Sequence, residues 1–200
     1  MEQLLRLSRL IDGFSEKMGK FLSWAVLAAV LICSLNAVLR KAFDTSDFYK
    51  QYANAMSELQ LFFFGTIFLL GAAYTLRLDE HVRIDLLSSR WSERTQVKMD
   101  IVGYLLFLLP FAGLIVYLGL DFFLISLNSG ETSGNSFLPL WPFKLLIPVG
   151  FSFLVVQSIS ELIKRFAYFK GLVPFEQLRR RSHSPDEEVQ AYLNQNEQKA

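Results

Sequence analysis

Apolar and charged positions fall in separate blocks along the chain. Four windows hold no Asp, Glu, Lys or Arg: residues 21–39, 59–76, 101–120 and 145–160. A helix rises about 1.5 Å per residue, so about 17–25 residues cross a hydrocarbon core of about 30 Å. The first three windows have that length. The fourth reaches it by starting near Pro142 or running past Glu161, and the nearly apolar stretch 137–143 precedes it. A core helix of a soluble protein keeps a polar stripe. Phe62-Phe63-Phe64 and residues 105–109 are apolar all round. The pattern predicts an all-α integral membrane protein with four transmembrane helices, over about 21–39, 59–76, 101–120 and 143–163. The first window is too long for a signal peptide and is followed by no small-residue cleavage site. It reads as a retained anchor.

Residues 1–20 carry a second pattern. Leu4, Leu7, Ile11, Phe14 and Met18 recur at helical spacing, with Arg6, Arg9, Asp12 and Glu16 off that stripe. This segment reads as an amphipathic interfacial helix or as an extension of the first span. The domain division is therefore 1–20, a four-helix membrane domain over 21–170, and a mobile polar tail over 171–200. The tail carries Arg179-Arg180-Arg181 and Asp186-Glu187-Glu188 without a periodic apolar face. Pro110 sits inside the third span, where it can kink the helix, and Pro148 sits early in the fourth.

Basic residues set the orientation. Segments 1–20, 77–100 and 161–200 hold four, five and seven Lys or Arg, whereas 40–58 and 121–144 hold three and one. The excess of positive charge places both termini in the cytoplasm. The loop after span two then lies inside. Its Ile84, Leu87 and Trp91 recur at helical spacing beside Arg90, Arg94 and Lys98, which suggests a short interfacial helix. The loop before span four lies outside, polar over its first half and apolar over 137–143, and it reads as dipped into lipid or covered by a partner. Trp24, Trp91, Trp141 and Lys144 are the expected membrane anchors.

Composition adds exclusions. The chain is 52% hydrophobic and 20% charged, and a net charge of +1 gives no field to attract nucleic acid. The single cysteine, Cys33, excludes an internal disulfide framework and a multi-cysteine metal site. His81 and His183 lie outside the spans, where they cannot ligate a transmembrane haem. No phosphate-binding glycine loop and no internal repeat is present, and the spans hold no carboxylate for ion coupling. The chain lacks the parts for catalysis or transport by itself. What remains suits helix contacts: Gly65 and Gly71-Ala72-Ala73 form a smooth face on span two, and Gln157 can bond to a partner helix. Glu58, Gln60 and Glu161 sit at or near span ends, where snorkelling to water is the simpler reading.

These residues carry a resemblance. The segments Glu58-Leu-Gln-Leu-Phe-Phe-Phe-Gly65, Leu70-Gly-Ala-Ala-Tyr-Thr-Leu76 and Asp79-Glu-His-Val-Arg-Ile-Asp85 are similar to the DctQ family. So are Gly130-Glu131 with Ser133, Leu140-Trp-Pro-Phe-Lys144, Ile147-Pro-Val-Gly-Phe151, and Gln157 with Ser160-Glu161. DctQ proteins are small membrane subunits of tripartite ATP-independent periplasmic (TRAP) transporters, and the likeness runs over about residues 15–170. It implies a sodium-coupled secondary transporter of organic acids. A large membrane subunit would hold substrate and sodium and move like an elevator, beside a periplasmic solute-binding protein. The small subunit would enlarge the static scaffold and help receive the binding protein.

From this follow two expected surfaces. Arg40, Lys41, Asp44, Asp47, Glu131, Ser133 and Trp141 are expected to face the binding protein or the outer rim of the large subunit. Glu58, Gln60, Gly65, Gly71, Asp79, His81, Arg83, Asp85, Gln157 and Glu161 are expected at the large-subunit interface. Membrane lipids complete the partners; no catalytic residue, substrate-binding residue, metal ligand or resident cofactor is expected. Two rival readings are a scaffold or assembly factor unrelated to transport, and a small membrane enzyme using His81 with Asp79 and Asp85.

Overall fold

The computed structural model describes residues 2–42, 47–78, 91–134 and 136–178, without the side chains of 47–52, 176 and 177. It is helical, and no strand occurs among the described residues. Four helices are long and apolar enough to cross a membrane. We label them α1 (Glu2–Ala42), α2 (Asp47–Leu78), α3 (Glu93–Ser129) and α4 (Trp141–Phe169), followed by a single turn, α5 (Phe175–Leu178). The four spans read from charge-free windows are each contained in one of these helices. The interfacial segment after span two and the tail from 179 onward lie outside the described residues.

α1 runs unbroken through the amphipathic segment into the first span. At about 1.5 Å per residue its 41 residues measure about 60 Å, twice the hydrocarbon thickness. The apolar stripe of its first half turns inward only in part: Ile11 and Met18 are half-buried and Phe14 meets the Phe153 ring at 5.5 Å. Leu4, Leu7 and Phe14 are exposed, while Ser8, Asp12, Ser15 and Gly19 are buried. Lipid solvates Leu as well as protein does, so packing here follows small size and hydrogen bonding.

Pro110 is accommodated by a π-helical segment, Gly103–Leu108, immediately before it. A wide turn removes the clash of the proline ring with the preceding turn, and α3 continues to Ser129. Gly130, at φ 63°, closes α3 by donating its N–H to Ser126 at 3.1 Å. A residue with a Cβ is strained in that left-handed conformation.

The bundle is tight where glycines sit. A Cβ on Gly150 of α4 would lie 2.9 Å from Leu69 Cβ and 3.0 Å from the Leu69 carbonyl of α2. One on Gly19 of α1 would lie 2.4 Å from the Tyr74 ring, and one on Gly119 of α3 would lie 3.2 Å from Pro148 Cδ. Gly65 meets nothing within 4 Å, and Gly71 meets only Leu22, at 3.9 Å.

Candidate functional site

Polar side chains gather at two levels of the bundle. The near level lies where α1 begins and where α2 and α4 end. Here Ser8, Asp12 and Ser15 of α1, at intervals of four and three residues, face Gln157, Ser160, Glu161 and Lys164 of α4. Gln157 is fully enclosed. Its amide donates to Asp12 Oδ1 at 3.0 Å and to Glu161 Oε1 at 3.3 Å, and its carbonyl accepts from Ser15 at 2.7 Å. Ser160 donates to Asp12 at 3.0 Å and lies 2.7 Å from the Ser8 hydroxyl.

Charges complete this level. Lys164 reaches Asp12 at 3.1 Å and also pairs with Glu161. Arg165, almost wholly buried, donates to Glu161 at 2.7 Å and to Asp100 of α3 at 3.2 Å, with its guanidinium 4.6 Å from the centre of the Tyr104 ring. Three carboxylates and two cations, with a formal sum of −1, thus pair with one another between α1, α3 and α4. A cation removed from such a group leaves a buried charge uncompensated, at a cost of about 3–5 kcal/mol. Beside it, Arg77 of α2 donates to Glu16 at 2.8 Å and ties α2 to α1.

The far level holds the loop between α3 and α4. An isolated bridge between Thr132 and Pro139 folds it back on itself. Glu58 of α2 accepts from Ser133 at 2.5 Å and from Ser136, and Glu131 pairs with Lys144 of α4. The Lys144 ammonium also lies 3.8 Å from the centre of the Phe122 ring. It holds the Glu131 carboxyl below its ordinary range. Gln60 accepts from Asn36 at 3.3 Å and donates to Cys33 Sγ at 2.8 Å. Phe137 projects from the folded loop, 85% exposed.

No group of three His, Cys, Asp or Glu could hold a metal ion among the described residues. A cavity of about 20 Å³ between Ile11, Met18, Leu70 and Phe153 has room for about one water. The polar groups at both levels join helices to one another.

The match that decides the family covers residues 53–167. It is to the model of the tripartite ATP-independent periplasmic transporters, DctQ component. The chain belongs to the DctQ family. It is the small membrane subunit of a TRAP transporter, in a family of transporter components rather than enzymes. No curated protein and no solved structure matches it. Within the DctQ match lie α3, most of α4 and most of α2; α1, with Ser8, Asp12 and Ser15, lies before it.

The expected surfaces of this DctQ protein sort as follows. Gln157, assigned to a partner helix, is instead enclosed within the chain, because α1 supplies its bonding partners. Glu161, assigned to the same interface, is buried against Lys164 and Arg165. Glu58 and Gln60 bond to the loop and to α1, and Lys144 turns to Glu131 instead of a headgroup. Gly65 stays open, and Gly71 lines a groove between α1 and α2. Arg40 and Lys41 are exposed at the far end of α1, Ser133 bonds to Glu58, and Trp141 lies 6.5 Å from Phe123 between ring centres. Trp24 is 74% exposed and Trp91 is also exposed. Asp44, Asp79, His81, Arg83 and Asp85 lie outside the described residues, as does the side chain of Asp47. Asp12, Asp100, Lys164 and Arg165 were not expected at any site. For Asp12 a signal was available as the i, i+4, i+7, i+11 run Ser8, Asp12, Ser15, Gly19, a small and polar stripe beside the apolar one.

Proposed function

We propose that this DctQ subunit is a static scaffold in the inner membrane for the moving part of the large TRAP subunit, and that it helps receive the loaded binding protein. The observation that carries this reading is the joined charge group at the near level. Asp12, Asp100, Glu161, Lys164 and Arg165 pair with one another across three helices and hold them as one body. A moving element needs polar groups that exchange partners; a support needs them fixed. The outer surface remains apolar, as contact with lipid or a second membrane subunit requires.

The count of basic residues puts both termini in the cytoplasm. The folded loop held by Glu58 and Lys144 then faces the periplasm, where the binding protein docks. Sodium coupling, and an organic acid as cargo, belong to the large subunit in this reading.

The deciding experiment is sodium-driven uptake in proteoliposomes holding the large subunit and its loaded binding protein, with and without this chain. Loss of uptake without it supports a scaffold that transport requires. Unchanged uptake, with lower yield of the large subunit in cells, would assign the chain to assembly instead. A loop variant, Phe137→Asp, tests docking separately: uptake should fall while the two membrane subunits still co-purify.

A further inference from the structure

Positive and negative charges part company at the start of α3. Arg94 and Lys98 are exposed, one turn apart, and neither pairs with a carboxylate among the described residues. The acidic residues of the same stretch turn the other way. Asp100 accepts from Arg165 of α4 at 3.2 Å, and Glu93 accepts from the Tyr168 hydroxyl at 3.5 Å. At about 100° per residue, Arg94, Lys98 and Val102 fall within about 80° of arc. Glu93 and Asp100 lie about 140° and about 160° from the centre of that arc. Buried Val97 and Tyr104 hold the acidic side against the bundle, so the basic side faces outward.

The outward face changes character along its length. Trp91, just before α3, is exposed, as suits a ring at a membrane interface. The two cations follow. Val102 lies one turn beyond Lys98, about 6 Å further along the axis, and is exposed, as is Leu106 in the π-helical segment. No polar side chain occurs from Leu105 to Val116. Positive charge over one turn, followed on the same face by unbroken apolar surface, matches a negative headgroup and the acyl chain below it. The charge selects an anionic lipid over a zwitterionic one, since the two cations have no other counter-charge among the described residues.

We propose that this face of α3 binds an anionic phospholipid, its phosphate held by Arg94 and Lys98 and one acyl chain lying along Val102 and Leu106. This goes beyond the scaffold reading and does not depend on it.

The test uses the complex of this chain with its large subunit, purified in detergent and stripped of lipid. Dioleoylphosphatidylglycerol or dioleoylphosphatidylcholine is added, and bound lipid is counted by native mass spectrometry. The glycerol lipid should bind more tightly. A basic residue near a lipid surface contributes about fivefold in affinity, so Arg94→Gln with Lys98→Gln should lose about that factor for each charge. Arg94→Lys with Lys98→Arg keeps both charges and should keep the preference. Equal binding of the two lipids, or a preference that survives both changes to Gln, overturns the proposal. A preference seen for the isolated chain and absent from the complex also overturns it, because the large subunit then covers this face. Should the double variant fail to assemble, Lys98→Gln alone should lose about fivefold for the glycerol lipid and nothing for the choline lipid. Unchanged retention of the glycerol lipid in that variant overturns the assignment of the phosphate to Lys98.

Discussion

The Gln157 amide and the Asp12 carboxylate, 145 positions apart, meet at 3.0 Å and join the beginning of the chain to its last long helix. The carbonyl of the same amide accepts from Ser15. Substituting Gln157→Leu takes one partner from each of three buried groups, Asp12, Ser15 and Glu161, and supplies none. The expected loss is about 1–3 kcal/mol, the usual cost of leaving a buried polar group unsatisfied. Thermal unfolding of the purified chain in detergent reads it. A midpoint unchanged from wild type would show that water replaces the amide.

Arg165 carries a larger share. It bonds to Glu161 and Asp100 and stacks on Tyr104. Arg165→Met should cost about 3–5 kcal/mol, since Glu161 keeps only Lys164 as a cation. Adding Glu161→Gln should restore part of that loss. Destabilisation in the double variant equal to the sum of the single ones would show that the pair does not couple.

Glycines separate by neighbourhood. Gly150→Ala pushes a methyl group against the Leu69 backbone and should cost about 1–3 kcal/mol. Gly65→Ala meets open space and should be neutral or slightly stabilising in the isolated chain. Unfolding of the two variants side by side checks this. A loss of complex with the large subunit in Gly65→Ala alone would locate the partner at Gly65.

The outer loop should respond to acid. Lys144 holds the Glu131 carboxyl below its ordinary range. A lowered folded value means that the pair stabilises the loop above the pH at which a free glutamate titrates, about 4.3, and that this is lost as pH falls through the lower folded value. Trp141 emission, followed in a Trp24→Phe, Trp91→Phe background, should shift on acidification below about pH 4. In Glu131→Gln that component should be absent. A shift of the same size there assigns it to another group.

Four membrane spans are legible in the order of the residues alone. Charges cost too much at bilayer depth for the windows 21–39, 59–76, 101–120 and 145–160 to arise otherwise, and the motifs of span two and its flanks carry the family. The same order also made Glu58, Gln157 and Glu161 visible as polar groups near apolar spans. Where they point follows from the packing of the helices. The stripe Leu4, Leu7, Ile11, Phe14, Met18 has the spacing of a buried face, yet it is exposed or half-buried, while Ser8, Asp12 and Ser15 are buried against α4 and Gly19 against Tyr74 of α2. The rule of apolar inside and polar outside presumes water around the helix. In lipid an apolar face gains nothing by burial, while a carboxylate or hydroxyl gains a partner, so hydrogen bonds and small residues decide which side of α1 packs. Those partners lie about 150 residues away on α4, beyond any local pattern.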